Sequence, residues 1–272
     1  MDPPPDSAGE FRNWLELPRD VIALIFLKLS AIEILTSAQR VCSPWLKLCK
    51  DPSLWLSVDM RKPDNKWVDN QLERMCRDAV DRSCGQLVEI NVEKFGTDEL
   101  LRYIADSSSQ LKRLGLVRCY GVSDEGLSGV AAKLPLLEEL AISYCSLSNE
   151  ALEAVGRCCP HLKSLKFNCL RYGKFDEEAF AIAANMSELR SLQLFGNMLT
   201  KDGLQAILDG CPHLESLDLR RCFSLSLVGN LGRRCVQQIK HLRLPHDSTD
   251  DYEFNGGWLQ YVRLRLRWQQ CF

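Results

Sequence analysis

Leu111-Lys-Arg-Leu114-Gly-Leu116 places apolar residues first, fourth and sixth in a run of six, and this arrangement recurs along the chain. It returns at Leu87, Leu137, Leu162, Leu189, Leu214 and Ile239, so that seven copies open at intervals of 24, 26, 25, 27, 25 and 25 residues. A fixed period in the twenties predicts a solenoid, whose units each bury an apolar edge against their neighbours and cannot fold singly. Within a copy, Leu114 and Leu116 alternate with Gly115 as a short strand requires, one face in and one face out. Leu140/Ile142, Leu165/Phe167, Leu192/Leu194, Leu217/Leu219 and Leu242/Leu244 repeat the alternation, and Ile90/Val92 fits it equally well.

Eight residues past the opening position stand Cys119, Cys145, Asn197 and Cys222, small side chains able to bond bare backbone groups where strand turns to helix. Phe95, Leu170 and Asp247 break that rule. Helix starts follow: Ser123-Asp-Glu-Gly-Leu127, Ser148-Asn-Glu-Ala-Leu152 and Thr200-Lys-Asp-Gly-Leu204 each offer a hydroxyl cap and an early acid. Asp176-Glu-Glu-Ala-Phe180 is a variant, and Pro160 and Pro212, each after a cysteine, stop helices before the next strand. These residues resemble the cysteine-containing leucine-rich repeat over residues 84–247. The resemblance implies an α/β fold, a curved horseshoe with a parallel sheet inside and helices outside.

Residues 13–60 are organised differently. Leu17-Pro18 opens a helix with apolar residues at Val21, Ile22, Leu24, Ile25 and Leu29. Ser30-Ala-Ile-Glu33 reads as a capping box starting a second helix through Leu35 and Ala38. Ser43-Pro44 and Asp51-Pro52 each set a cap before a proline, and the segments behind them carry Trp45, Leu46, Leu48 and then Leu54 and Trp55. Four short helices cannot close a large core, so this piece needs the solenoid behind it or a partner in front.

Leu17-Pro18, Val21, Ile25, Leu29, Leu35, Val41-Cys42, Trp45 and Asp51-Pro-Ser-Leu-Trp55 resemble an F-box, in order and at its spacing. With the repeats behind it, the chain is similar to the short plant F-box/leucine-rich-repeat proteins related to Skp-interacting partners. The resemblance implies that Leu17, Pro18, Val21, Ile25, Leu29, Leu35, Val41, Cys42 and Trp45 dock on the Skp-type adaptor of a cullin–RING ubiquitin ligase (SCF), while the repeats hold the protein to be ubiquitinated and degraded. Trp45 and Trp55 have a second reading as core or junction packing, the common fate of large aromatics at helical spacing. Residues 61–83, with apolar Val68, Leu72, Met75/Cys76 and Ala79/Val80, read as the helix of an irregular first repeat that caps the horseshoe. No Gly/Ser-rich spacer intervenes, so the bait surface is expected at a fixed orientation.

The outward strand positions form the expected bait surface: Glu89, Asn91, Glu93; Arg113, Gly115, Val117; Glu139, Ala141, Ser143; Ser164, Lys166, Asn168; Ser191, Gln193, Phe195; Ser216, Asp218, Arg220; His241, Arg243. Seven strands at ~4.8 Å spacing give an inner arc of about 29 Å, room for roughly nine extended residues. Arg113, Glu139, Tyr144, Lys166, Gln193, Phe195, Asp218 and Arg220 are the candidate substrate contacts. Tyr144, Phe195 and Arg220 lead them because aromatics and arginine dominate hot spots.

Composition bounds the alternatives. With 46% hydrophobic residues and net charge −2, neither disorder nor a nucleic-acid partner is indicated. Met1-Asp-Pro-Pro-Pro-Asp lacks the basic start and apolar run of a signal peptide, and no stretch approaches the ~20 apolar residues of a membrane span. Many of the thirteen cysteines fall on repeat positions inside the expected core, so buried thiols in the nucleus and/or cytoplasm are expected rather than disulfides. No cofactor or metal site is expected, since no Cys-x-x-Cys pair or Gly-rich phosphate loop occurs. His161 and His213 share one repeat position beside proline, so repetition explains them, and no catalytic residue is assigned. The chain then supplies proximity to a reaction done by other subunits. The rival reading is a repeat scaffold or inhibitor that binds a protein partner without ubiquitination. Residues 1–12 read as a disordered tail. In 248–272, Asp247-Ser-Thr-Asp-Asp251 reads as loose and Val262 to Trp268 alternates like a strand, either covering the open end of the stack or, the favoured reading, an unstructured terminus.

Overall fold

A computed structural model describes residues 17–61, 67–168 and 176–253 of the chain. The first helix, α1 (Arg19–Phe26), turns Ile22 and Phe26 inward at helical spacing and leaves Val21, Leu24 and Leu27 on the opposite side. Before α2 (Ala31–Thr36) the Ser30 hydroxyl accepts the Glu33 N–H at 3.2 Å while the Glu33 carboxylate accepts the Ser30 N–H at 2.8 Å, the reciprocal capping box. A short 3₁₀ turn at Ala38–Arg40 leads to α3 (Ser43–Leu48). Its cap falls one residue earlier than expected, on Cys42 in extended backbone, with Ser43-Pro44 in the first turn. The Asp51 carboxylate accepts the Ser53 N–H at 3.1 Å and starts the 3₁₀ turn Pro52–Trp55.

The chain then enters the sheet with no linker. Strand β1 (Ser57–Met60) pairs in parallel with β2 (Glu89–Glu93), and β3 (Arg113–Val117), β4 (Glu139–Ser143), β5 (Ser164–Asn168), β6 (Ser191–Gln193), β7 (Ser216–Asp218) and β8 (His241–Arg243) follow in chain order. Among the described residues eight strands therefore line the inside, one more than the sequence repeats, because the N-terminal helices run straight into a first strand of their own. Val58, Ile90, Leu114, Leu140, Leu165, Leu192, Leu217 and Leu242 stand in one register row. The outer helices are α4 (Asp69–Arg82), α5 (Asp98–Ser107), α6 (Asp124–Ala131), α7 (Asn149–Cys158), α8 (Glu177–Asn185), α9 (Lys201–Gly210) and α10 (Asn230–Gln238). Among the described residues a continuous apolar core runs from Ile22 to Ile239, with a smaller cluster of Val117, Tyr144, Phe195 and Tyr252 on the inner face.

The repeats are fastened at three points that propensity alone does not supply. Seven residues past five of the opening leucines the backbone turns left-handed, at Lys94 (φ 77), Arg118 (φ 53), Tyr144 (φ 60), Gly196 (φ 75) and Arg221 (φ 63). Non-glycine residues there cost about 1–3 kcal/mol each. The turn aims each N–H at the next repeat: Lys94 donates to the Val117 carbonyl, Arg118 to Ser143, Tyr144 to Asn168 and Arg221 to Pro245, at 2.8–2.9 Å. Next come the thiols. Cys119 donates to the Val92 carbonyl at 3.5 Å, Cys145 to Leu116 at 3.6 Å and Cys222 to Leu194 at 2.9 Å, each reaching back one repeat.

The third fastening joins helix starts. Asp98 accepts the N–H of Ser123 at 2.8 Å and its hydroxyl at 2.7 Å, Asp124 accepts the same pair from Ser148, and Asp176 from Thr200. The early acid serves the next repeat's cap as well as its own helix end. Gly126 and Gly203 make room for it, since a Cβ on either would lie within 2.3 Å of an Asp98 or Asp176 carboxylate oxygen.

The segment after β8 corrects the sequence reading. Asp247 is not loose: its N–H donates to the Leu244 carbonyl at 3.1 Å and its carboxylate accepts the Leu244 N–H at 2.8 Å. The chain then bends back across the inner face as far as Glu253. The alternating stretch Val262–Trp268 and the tail at 1–12 lie outside the described residues.

Candidate functional site

Two surfaces carry chemistry, one apolar at the N-terminus and one polar inside the horseshoe. On the first, Val21 (40% exposed), Leu24 (63%), Leu27 (57%), Val41 (60%) and Leu46 (37%) stand in solvent. Beside them a cleft of ≈ 320 Å³ is lined by Leu17, Ile22, Pro44, Trp45 and Leu48, with Arg19 and Lys47 at its edge. Phe26 meets the Trp45 ring edge to face at 5.0 Å, so Trp45 packs on the F-box core and lines the cleft at once. Arg19 is held by Asp51 at 2.7 Å.

The structure places the nine expected adaptor residues unequally. Pro18, Val21 and Val41 are exposed; Leu17, Ile25, Leu29, Cys42 and Trp45 are half-buried. Leu35 is the correction: at 4% exposure it is part of the apolar core, where a partner cannot touch it without breaking the packing. Leu24, Leu27 and Leu46 are the exposed apolar side chains absent from the sequence assignment. The signal for Leu24 and Leu27 was their place opposite Ile22 and Phe26 on the α1 wheel.

Trp55 belongs to the junction. It is 1% exposed, its indole N–H donates to the Cys49 carbonyl at 2.9 Å, and the Arg82 guanidinium lies over its ring at 5.4 Å. Arg82, at the end of α4, also donates to Gln39 at 2.9 Å and to the Cys49 carbonyl at 3.2 Å. The N-terminal helices are thereby locked to the first repeat helix.

The inner face consists of three rows of side chains. The row two residues past each opening leucine is polar and holds Glu89, Arg113 and Glu139, with Glu89 and Arg113 ion-paired at 3.0 Å. The row four residues past it holds Asn91, Gly115, Ala141, Lys166, Gln193 and Asp218, and Gln193 donates to Asp218 at 3.1 Å. Between β2 and β5 these rows bound an open cleft of ≈ 140 Å³ that includes Arg61, Arg113, Glu139, Lys166 and Glu253.

The row six residues past, expected to face outward, is buried throughout: Glu93 3%, Val117 4%, Ser143 2%, Asn168 2%, Phe195 0% and Arg220 3%. Two causes are visible. Arg118 folds over Glu93, with which it pairs at 3.0 Å, and Asn168 is drawn in by donating to the Ser143 hydroxyl at 3.1 Å while accepting the Phe195 N–H at 3.0 Å. The other cause is the returning segment. Tyr252 stacks on Phe195 with centroids 3.7 Å apart and planes 1° from parallel, and its hydroxyl bonds that of Tyr144 at 2.9 Å. Burial pushes both phenols above their ordinary range, so both stay protonated.

Charges flank that ring on both sides. Asp251 pairs with Arg220 and, at 3.0 Å, with Arg243; its hydrogen bond from Arg220 holds its carboxyl below the usual range. Glu253 pairs with Arg61 at 3.1 Å. Arg220 also grips Asp218 at 2.7 Å and the Ser248 carbonyl at 2.9 Å. So Tyr144, Phe195 and Arg220, the three leading bait contacts read from sequence, do not stand free: the chain's own segment sits on them. Arg113, Glu139 and Lys166 remain on the open cleft, whereas Asp218 is taken up by Arg220 and by Gln193.

Comparison with known proteins joins these surfaces to a family. The F-box-like family model matches residues 14–61, and a leucine-rich-repeat model matches residues 186–208. In Arabidopsis thaliana, F-box protein SKIP19 is 50% identical over 252 residues, covering 92% of this chain and 83% of that protein. The chain belongs to the F-box/leucine-rich-repeat family. Putative F-box/LRR-repeat protein 23 of Arabidopsis thaliana is 54% identical over 89% of this chain, which spans only 55% of that protein's length. A crystal structure of the yeast Rad7 and Elc1 complex has the same fold, with a TM-score of 0.55 at 19% identity over 83% of this chain and 59% of that one. Membership accounts for the order found here, an apolar helical face first and a repeat stack behind it.

Proposed function

We propose that this F-box/leucine-rich-repeat protein is the substrate-recognition subunit of a Skp–cullin–F-box ubiquitin ligase. Its F-box docks on a Skp-type adaptor, its concave face holds the target, and it contributes no catalytic group of its own. The observation that carries the reading is the exposed apolar surface of α1 within a matched F-box. Five large aliphatic side chains in solvent on so small a helical unit form a surface that association would dry. Homologues named F-box protein SKIP19 and F-box protein SKIP1, the latter 30% identical over 86% of this chain, support it. The direct passage from Trp55 into β1 supports the mechanical part, because a rigid arm holds a target at a constant distance from the chemistry.

Co-purification tests the reading. The chain should capture a Skp-type adaptor and a cullin, and replacing Leu17 and Pro18 by alanine should abolish adaptor capture while the repeat stack keeps its thermal transition. Undiminished capture by that variant, or a chain that never brings down the adaptor, favours the free-standing scaffold.

A further inference from the structure

The segment lying across the inner face is built like a ligand. Among its described residues 250–253, Tyr252 alone is sequestered, at 5% exposure, whereas Asp250, Asp251 and Glu253 remain in solvent. It belongs to no strand or helix, and its own N–H turns back to the Thr249 carbonyl at 3.0 Å instead of pairing with the sheet. Holding it are one ring in a well, a carboxylate on each side and the Ser248 carbonyl on Arg220 at 2.9 Å. The well is Val117, Tyr144 and Phe195. On one side Arg220 and Arg243 take Asp251; on the other Arg61 takes Glu253.

An aromatic anchor in a dry pocket with charge-paired flanks is the arrangement of a recognised peptide, not of a core element. We propose that this well is the target-binding subsite of the concave face, that it takes a protein segment in which tyrosine is flanked by acidic residues, and that Asp251-Tyr252-Glu253 occupies it as an internal stand-in until a target displaces it. This rests on the substrate-receptor reading above and names the chemistry of the target. Tyrosine is preferred to phenylalanine because the ring hydroxyl meets that of Tyr144 at 2.9 Å. A target segment longer than three residues continues past Glu253 into the open cleft, where Arg113 and Lys166 extend the demand for acidic side chains. The exchange is one of competition. A tethered segment acts at about millimolar effective concentration, so it excludes weak ligands and yields to a target that also fills the cleft.

The test uses the full chain and a fluorescein-labelled peptide, Ser-Thr-Asp-Asp-Tyr-Glu, whose binding is read by polarisation. The Tyr252→Ala chain should bind it at least about tenfold more tightly than the unaltered chain. Adding Phe195→Ala, or replacing the peptide's tyrosine by alanine, should remove that binding, and a phenylalanine peptide should bind more weakly than the tyrosine one. A second variant, Asp251→Ala with Glu253→Ala, loosens the flanks while leaving Tyr252 in place and should gain affinity for the peptide to a smaller extent; it decides the matter should Tyr252→Ala not fold. Equal or absent binding to the unaltered chain and to a folded variant would overturn the proposal and make the segment a fixed strap. Adaptor capture by the same preparations separates the two readings: capture without peptide binding defeats the subsite alone, and peptide binding without capture defeats the ligase assignment alone.

Discussion

The F-box helices and the repeat stack solve opposite problems with the same aliphatic residues. Inside the stack the repeats from β2 to β7 have a neighbour on each side, so their strand leucines are covered, N–H groups reach the next turn and acids cap the next helix. The F-box has the stack on one side only. Ile22 and Phe26 find that side, and Val21, Leu24 and Leu27 are left with water. Saturation makes the stack a scaffold; its lack makes α1 a docking face. Stability and partner binding should therefore separate cleanly between the two regions.

Substitution tests that separation most strongly on the exposed side. Leu24→Asp with Leu27→Asp places two charges where the adaptor would exclude water, and two hot spots of about 2 kcal/mol each amount to roughly a thousandfold loss of adaptor affinity. The thermal transition should stay within a degree or two, because both side chains already stand in solvent. A large fall in stability would show that α1 is a core helix whose exposure is misjudged. Leu192→Ala should do the reverse: its side chain is 1% exposed in the row between Leu165 and Leu217, so the cavity costs about 2–5 kcal/mol. Adaptor affinity measured well below the transition should not change. A parallel loss of both would mean that the continuous core couples the two faces.

Sequence patterning reached the stack and the face to different depths. Strand register, the helix starts at Ser123, Ser148 and Thr200 and the Ser30 capping box were all legible, because each depends on residues within a few positions of one another. The left-handed turns were not, since lysine, arginine and tyrosine hold them where glycine would have signalled them. Nor was the burial of Tyr144, Phe195 and Arg220, which depends on Tyr252 and Asp251 returning from as far as 108 residues away in the case of Tyr144. Alternation says which way a side chain points, and it is silent on what later lies over it. Leu35 failed for a similar reason: helical spacing gives a stripe, and only packing decides which edge of the stripe meets the second helix.

The cysteines offer the mildest probe of the same contrast. Burial pushes the thiols of Cys76 and Cys159 up to about 12 and that of Cys211 to about 11, and all three lie within or against the stack. Cys84 is exposed, and Cys42, in the F-box, is half-buried. With a disulfide reagent at pH 8, Cys84 should react first and the half-buried Cys42 and Cys158 next, while the three buried stack thiols should react only as fast as the repeats open. The same displacement sets a direction for stability. An unfolded thiol ionises near ~8.5, before its folded counterpart, so the unfolded chain sheds protons first as pH rises. Each stack thiol thus contributes stability that is whole below that value and is lost progressively toward pH 11 to 12. Replacing Cys211 by alanine should flatten that decline by a small, measurable step; a decline of the same slope in that variant would show that the burial of this thiol does not set it.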